Sequence, residues 1–193
     1  MKPQTLLCRL TILALLISPH AVVSADPSPR VELRTSHGAI EFELAPSEAP
    51  ETVANFLQYV DDDFYAGTVF HRVIPDFMIQ GGGLDADLET RETRDPVVNE
   101  SDNALSNERG TVAMARTRDP DSATAQFFIN LADNEHLDAT ADGPGYTVFA
   151  RVVAGMDVVG AIAGVPTERR GRHQNVPAET VRIEAVERVD PGE

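Results

Sequence analysis

The chain has 193 residues, of which 42% are hydrophobic, and its formal net charge is -15 at pH 7. This length fits one domain or at most two small ones, and the apolar content is high enough for a core, which excludes wholesale disorder. The chain has 31 Asp and Glu residues against 16 Lys and Arg residues. This excess of acidic residues argues against a nucleic-acid partner, because phosphate backbones bind clustered cations.

The first 25 residues have the pattern of a secretory signal peptide. Lys2 and Arg9 supply positive charge, residues 10–17 form an apolar core, and small residues at 23–25 suit a cleavage site. The apolar run is shorter than the roughly 20 residues that a membrane-spanning helix needs, and Pro19 follows it. We therefore favour a cleaved signal over an anchor helix, and we expect a periplasmic protein without membrane attachment.

Cleavage after Ala25 would leave a mature chain without cysteine or lysine, because Cys8 and Lys2 lie in the leader. A disulfide scaffold, thiol catalysis and Schiff-base chemistry are then excluded for the mature protein. Residues 26–30 are expected to form a short leader, followed by a single domain over residues 31–190. The acidic, lysine-free composition fits a saline habitat or a codon bias, and the sequence does not separate these two explanations.

Hydrophobic patterning along the mature chain predicts eight strands and two helices. Alternating apolar residues, or short apolar runs between turns, predict strands over 31–35, 40–44, 68–74, 77–80, 111–115, 126–130, 146–153 and 181–185. Helical spacing predicts one helix that begins at Pro50 and ends at the acidic triplet 61–63, and a shorter helix after Gly155. The polar stretch 84–107 is expected to be a long surface loop.

The spacing of these strands indicates a mainly β fold. Strands that are bounded by turns, rather than separated by long helices, favour a closed eight-stranded antiparallel β-barrel over a parallel sheet. Side chains fill the interior of a barrel with eight strands. We therefore expect the binding surface to lie on the outside of the barrel or at its rim.

Several kinds of site are disfavoured by the motifs that the chain lacks. The glycines at 81–83 have neither GxGxxG spacing nor a following lysine, and the acidic triplet 61–63 lacks the later residues of a calcium loop. The mature histidines form no HxxxH or HExxH pair, so we expect no metal and no cofactor. No GxSxG motif is present, and a secreted hydrolase with an unmarked Ser-His-Asp set is kept as a third alternative.

One segment, FHRVIPDFMIQGGG at residues 70–83, is the densest candidate for chemistry. It places Arg72 among apolar and aromatic residues, with the amide of Gln80 two positions beyond Met78. On composition alone, this pattern also fits a buried strand pair whose arginine is paired with a carboxylate or extends to water.

Segment 70–83 resembles the signature of the cyclophilin family of peptidyl-prolyl cis-trans isomerases. Four other segments resemble family motifs in the same order: TVANF at 52–56, MART at 114–117, SATAQFFIN at 122–130 and GYTVF at 145–149. With the signal peptide, the chain looks most like the periplasmic bacterial branch. The resemblance implies a barrel capped by two helices, and an isomerase that acts on Xaa-Pro bonds of exported polypeptides as they fold.

The resemblance also implies the site residues. Arg72 would donate to the prolyl nitrogen, and Gln80 would hold a substrate carbonyl. His71 would contact the substrate or orient its neighbours. The implied substrate-binding residues are Phe77, Met78, Ala115, Arg116, Phe128, Leu137, His136 and Tyr146. The partners implied are proline-containing polypeptides, and we expect a monomer.

Three positions depart from the drug-sensitive eukaryotic relatives. His136 stands where those relatives carry tryptophan, so weak binding of cyclosporin is expected. Arg116 replaces an asparagine whose contact is made through the backbone, and Tyr146 replaces a histidine while keeping an aromatic wall. A binding module of the same fold, which holds proline-containing segments with little turnover, is the main alternative to an enzyme.

Overall fold

The computed structural model of the protein describes residues 28–189. The predicted signal peptide with Cys8, the first two residues of the predicted leader and residues 190–193 lie outside the described residues.

Ten strands and two α-helices make up the described chain. In chain order they are β1 (Arg30–Thr35), β2 (Gly38–Leu44), α1 (Pro50–Asp61), β3 (Arg72–Ile74), β4 (Met78–Gly81), β5 (Thr111–Met114), β6 (Phe127–Asn130), β7 (Val148–Ala154), α2 (Met156–Ala163), β8 (Thr167–Arg170), β9 (His173–Pro177) and β10 (Ile183–Val189). Two short 3-10 turns, at Pro120–Ser122 and Glu135–Leu137, flank β6.

Eight of the strands form one antiparallel sheet in the order β10-β1-β2-β7-β5-β6-β4-β3. The predicted eight-stranded antiparallel sheet with two helices is therefore confirmed, but the term closed barrel overstated its closure. The edge strands β3 and β10 are not paired with each other. The segment before β3 meets only the start of β10 and the residues before it. The Gly67 amide donates to the carbonyl of Ile183 at 2.8 Å, Val69 forms a bridge with Arg182, and the Phe70 amide donates to the Val181 carbonyl at 3.0 Å. The sheet is thus a curled half-barrel.

Strand alternation places the main core inside the curl of the sheet. Phe127 on β6 is fully buried, and its ring makes edge-on contacts with four other aromatic rings at centroid distances between 5.7 and 6.2 Å. These rings belong to Phe42, Phe56, Tyr65 and Phe70. Because successive side chains of a strand point to opposite faces, the neighbours of these core residues point outwards.

Helix α1 is capped by a side chain from a distant loop. Its N-cap residue, Ala49, makes no side-chain cap, but the carboxylate of Glu100 accepts hydrogen bonds from the backbone amides of Glu51 and Thr52 and from the Thr52 hydroxyl. A carboxylate at a helix N-terminus also complements the helix dipole. Residues 84–107 form a loop without a named helix or strand, as predicted, but Glu100 shows that this loop also supports the fold.

Helix α2 follows Gly155, whose φ of +85° favours glycine. A Cβ atom at this position would lie 2.4 Å from the Ala39 carbonyl oxygen. Among residues 28–189, no helix is long and apolar enough to cross a membrane.

Strands β8 and β9 form a separate two-stranded hairpin that the sequence interpretation missed. Strand β8 has the sequence TERR and β9 has the sequence HQNVP, so neither shows the apolar alternation by which the other strands were predicted. Strand β9 packs beside β3, at one edge of the main sheet. The missed hairpin is thus a mostly polar cover for this edge.

Candidate active site

The outer faces of four neighbouring strands build a small cavity. The main core takes Ile79, Val112 and Phe127, whereas their neighbours Met78, Ala113 and Phe128 form a second apolar cluster. A cavity of about 200 Å³ opens above this cluster, and its lining residues are Arg72, Phe77, Met78, Gln80, Ala115, Arg116, Phe128, Leu137 and Tyr146. All nine belong to the predicted set of site residues, and the structure brings them together around one cavity.

The triple glycine shapes one end of the site. Gly82 has a φ of +82°, and a Cβ atom there would lie 2.7 Å from the Phe127 ring. A Cβ atom at Gly83 would lie 2.2 Å from the side chain of Gln126. Glycine is therefore required where the chain leaves β4 and passes between the aromatic core and the polar end of the cavity.

Arg72 and Gln80 lie opposite each other in the pairing of β3 with β4. The Arg72 guanidinium donates to the Gln80 Oε1 atom at 3.3 Å, and it lies 4.0 Å from the Met78 sulfur. Within the described residues, Arg72 forms no ion pair with a carboxylate. Its charge and several of its N–H donors therefore remain available to a ligand in the cavity.

Gln126 was missed as a site residue, although it stands in the predicted 122–130 motif. The Gln80 Nε2 atom donates to the Gln126 Oε1 atom at 3.0 Å. This hydrogen bond fixes the amide orientation of Gln80, whose own oxygen accepts from Arg72. The three side chains form a polar chain along one side of the cavity.

Apolar and aromatic side chains make the floor and walls of the cavity. Met78 and Phe128 are almost fully buried beneath it, and Phe77 and Leu137 are half-buried at its sides. The ring of Tyr146 packs edge-on against Phe128, with a centroid distance of 5.6 Å. A cavity of this size and lining suits one small apolar ring.

The structure separates two contributions of Arg116. Its backbone N–H and C=O groups have no backbone partner within the described chain, whereas the preceding Ala115 amide donates to the Gln126 carbonyl at 2.9 Å. Its guanidinium lies over the Tyr146 ring, 4.6 Å from the ring centroid, and donates to the carbonyl oxygens of Gly145 and Pro144. The backbone is thus open to an extended peptide, while the side chain holds the Tyr146 wall.

The two predicted site histidines do not line the cavity. His71 is 6% exposed, its Nδ1 atom has no hydrogen-bond partner within the described chain, and burial lowers its pKa to about 4. It is therefore neutral at pH 7, directly before Arg72 in the chain. His136 is exposed at the rim, and its ring stacks on Phe77 with a centroid distance of 5.7 Å.

A buried amide network supports the rim and was also missed from the sequence. Asn134 is 4% exposed, and its side chain donates to the Phe77 carbonyl at 3.0 Å and to the Asn130 side chain at 2.8 Å. The Asn134 carbonyl accepts from the Leu137 amide at 2.8 Å. The network therefore ties the wall residue Phe77 to the turn that carries Leu137 and His136.

The described residues hold no group of three or more His, Cys, Asp or Glu side chains that is arranged to bind a metal ion. The cavity offers instead a charged donor, an amide pair and an apolar niche.

Comparisons with known proteins agree with this geometry. A family model described as cyclophilin type peptidyl-prolyl cis-trans isomerase/CLD matches residues 30–188. A peptidyl-prolyl cis-trans isomerase from Acinetobacter baylyi is 53% identical over 173 residues, which are 90% of each chain. Peptidyl-prolyl cis-trans isomerase A from Dickeya dadantii is 48% identical over 185 residues, which are 96% of this chain and 97% of its own.

Solved structures share the fold. A cyclophilin from Hirschia baltica superposes with a TM-score of 0.68 at 25% identity, covering 83% of this chain and 74% of its own. A cyclophilin type isomerase from Cryptosporidium parvum superposes with a TM-score of 0.71 at 24% identity, covering 84% and 98% of the two chains. At that identity, the second likeness supports the fold alone.

The chain belongs to the family of cyclophilin-type peptidyl-prolyl cis-trans isomerases. The family resemblance inferred from the sequence motifs is confirmed, and the protein is an isomerase of this class. Members of the family act on proline-containing peptides.

Proposed function

We propose that this isomerase assists the folding of exported polypeptides in the periplasm, and that Arg72 lowers the rotation barrier by donating a hydrogen bond to the prolyl nitrogen. The observation that carries the mechanism is the state of the Arg72 guanidinium. It lines the cavity beside the apolar niche and forms no ion pair within residues 28–189.

The reaction needs a donor and a shaped site rather than bond cleavage. Rotation about the amide bond before proline is opposed by ~18–20 kcal/mol, because resonance gives the C–N bond double-bond character. As the amide twists, the nitrogen lone pair becomes available to a donor. A hydrogen bond that forms only in the twisted state lowers the barrier, and each ~1.4 kcal/mol gained in this way accelerates exchange about ten-fold.

Different parts of the substrate would bind to the apolar and the polar sides of the cavity. The proline ring would enter the niche formed by Phe77, Met78, Phe128, Leu137 and Tyr146, which places its nitrogen towards Arg72. Gln80 would hold a substrate carbonyl.

Three further residues complete the proposed contacts with the peptide. The backbone of Arg116, beside the small side chain of Ala115, would pair with the extended peptide. His136 would contact the chain at the rim, where it lies on Phe77. His71 would act from behind the cavity, by orienting Arg72.

The proposed location rests on the N-terminal segment. Residues 1–25 have the charge, apolar core and cleavage pattern of a secretory signal. The similarity to the Dickeya dadantii isomerase covers 96% of the chain and so extends into this segment.

Expression of the full chain in a Gram-negative host should give a periplasmic product that begins at Asp26. A product that keeps its leader in the cytoplasm would contradict the proposed location. We also propose that the mature protein acts as a monomer and, because acidic residues outnumber basic ones, that it has no nucleic-acid partner.

The experiment that tests the mechanism is proline-limited refolding of a client protein with wild-type enzyme and with Arg72→Ala. The variant keeps its fold by circular dichroism, because Arg72 is only half-buried and supports no ion pair. We expect its catalysed rate to fall at least ~ten-fold. The matched control is Arg109→Ala, which removes an exposed arginine that does not line the cavity. An unchanged refolding rate with Arg72→Ala would remove Arg72 from this role.

A further inference from the structure

The active-site cavity differs in charge from other cavities of this acidic protein. Its nine lining residues include two arginines, Arg72 and Arg116, and no Asp or Glu. Three other cavities each carry two or more carboxylates: Glu43, Glu48 and Glu108 in the first, Asp87 and Glu89 in the second, and Glu108, Asp133, Glu135 and Asp138 in the third. Arg151 in the first, and Arg170 and Arg172 in the second, offset part or all of that negative charge, so none of the three has an excess of arginines over carboxylates. In a chain of net charge -15, the site is thus locally cationic.

Arg116 is held in place without being neutralised. Its guanidinium donates to the carbonyl oxygens of Gly145 at 3.1 Å, Pro144 at 2.9 Å and Thr117 at 3.0 Å, and it stacks over the Tyr146 ring. Carbonyl oxygens and an aromatic face orient the cation but carry no negative charge to cancel it. A guanidinium also has more N–H donors than these three carbonyls use.

Six of the fourteen arginines of residues 28–189 are neutralised by carboxylates, whereas Arg116 and the rest form no ion pair there. The six are Arg30, Arg34, Arg94, Arg151, Arg170 and Arg188. Arg116 forms none within residues 28–189, although it is half-buried and rigidly held. A pre-oriented cation with spare donors at the wall of a peptide site is suited to bind a carboxylate of the peptide.

We propose that the Arg116 side chain is a specificity determinant, which selects Xaa-Pro segments that carry a carboxylate next to the proline. This inference rests on the proposed function, since it names the class of client for the same cavity. A peptide that pairs with the Arg116 backbone passes directly beside its guanidinium. An Asp or Glu side chain flanking the proline then reaches the free donors, while the proline ring occupies the apolar niche.

The test measures the selectivity of the purified protein with short peptides of the form Ala-Xaa-Pro-Yaa. Glu, Gln or Lys is placed at Xaa in one series and at Yaa in the other. Exchange between cis and trans is followed by NMR, which needs no coupling protease with its own charge preference. We expect kcat/KM for Glu to exceed that for Gln about five-fold in one series at low salt. The preference disappears at about 1 M NaCl, where the Debye length is only ~3 Å.

Two variants separate recognition of charge from support of the Tyr146 wall. Arg116→Gln removes the charge, and Arg116→Lys keeps it while losing the planar stacking. We expect Arg116→Gln to abolish the Glu-over-Gln ratio and Arg116→Lys to keep most of it. The control Arg109→Gln makes the same change in net charge at an exposed arginine outside the cavity, and it retains the ratio.

Each outcome decides the proposal. A wild-type ratio near one in both series, a preference for Lys, or a ratio that survives Arg116→Gln overturns it. Equal losses for the Glu and Gln peptides in both Arg116 variants also overturn it, because they indicate a purely structural role. If the wild-type protein isomerises the Gln peptides without preferring Glu, only this inference fails. If it isomerises none of the peptides, the proposed function fails as well.

Discussion

The inner and outer faces of β4, β5 and β6 carry the same kind of apolar residue but serve different purposes. On the inner face, Phe127 is fully buried among four aromatic rings. On the outer face, Phe128 is almost as buried, yet it contacts one aromatic ring, Tyr146, and lines an open cavity. Of these two adjacent residues of β6, Phe127 thus belongs to the core and Phe128 belongs to the site.

This difference teaches how one sheet separates stability from activity. The main core gains its free energy from rings packed on every side, whereas the outer cluster of Met78, Ala113, Phe128 and Val148 is small and leaves room for a ligand. A side chain that is removed from the inner face leaves a void in the core. A side chain that is removed from the outer face mainly enlarges a cavity that already exists.

The strongest test of this contrast compares Phe127→Ala with Phe128→Ala. We expect Phe127→Ala to lower the free energy of unfolding by about 4 kcal/mol and Phe128→Ala by about 2 kcal/mol. Isomerase activity per folded molecule should show the opposite order, with a loss of at least ~ten-fold only for Phe128→Ala. Urea unfolding and peptide exchange measure the two quantities on the same samples. Equal stability losses with equal activities would break the contrast.

His71 gives a test at the border between the two faces. Burial lowers its pKa from 6.5 to about 4, so between these pH values the unfolded chain binds more protons than the folded chain. The free energy of unfolding should therefore fall as the pH drops from about 6.5 towards 4, with this group contributing ~3 kcal/mol of the loss. Above pH 6.5 its contribution is constant.

The measurement for His71 is the free energy of unfolding at several pH values in wild type and in His71→Gln. The carboxyl groups titrate in both proteins, so the difference between the two curves isolates the histidine. On acidification, we expect the free energy of unfolding of wild type to fall more steeply than that of His71→Gln. Parallel curves from pH 7 to pH 4 would show that His71 does not titrate in this way.

A smaller effect is expected at the rim of the outer face. His136 stacks on Phe77 at the edge of the cavity, where drug-sensitive relatives carry tryptophan. We expect weak cyclosporin binding by wild type and at least ~ten-fold tighter binding by His136→Trp, because the larger indole buries more apolar surface of the ligand. Titration calorimetry measures both affinities. Nanomolar binding by wild type, unimproved by His136→Trp, would contradict this expectation.

Much of the fold could be predicted because the inner face imposes a simple pattern. Alternating apolar residues marked both strands of the first hairpin, and the structure places these strands at Arg30–Thr35 and Gly38–Leu44. The hairpin of β8 and β9 could not be predicted in this way, because its residues are mostly polar. The cap of α1 by Glu100 could not be predicted either, because the two partners are far apart in the chain and meet only in the folded state.

The site could be predicted where family motifs marked it, and nine of the eleven residues predicted for it line one cavity. The interactions that support the site could not be predicted, because they join segments that are separate in the sequence. Gln126 fixes the amide of Gln80, and Asn134 holds the carbonyl of Phe77. Polar residues in a sequence resemble solvated ones until the fold buries them. In retrospect, the amide side chains within residues 122–134 could have indicated these interactions, because they are polar residues beside a buried strand.

The most direct test of the account separates binding from rotation in Arg72→Ala. NMR exchange spectroscopy with saturating Xaa-Pro peptide measures the cis-trans rate on the enzyme, and titration of the same peptide measures its affinity. If the guanidinium acts on the twisted imide, the bound rate falls at least ~ten-fold while the affinity changes by less than about three-fold. A rate that stays the same, or a rate and an affinity that fall in parallel, would contradict the account.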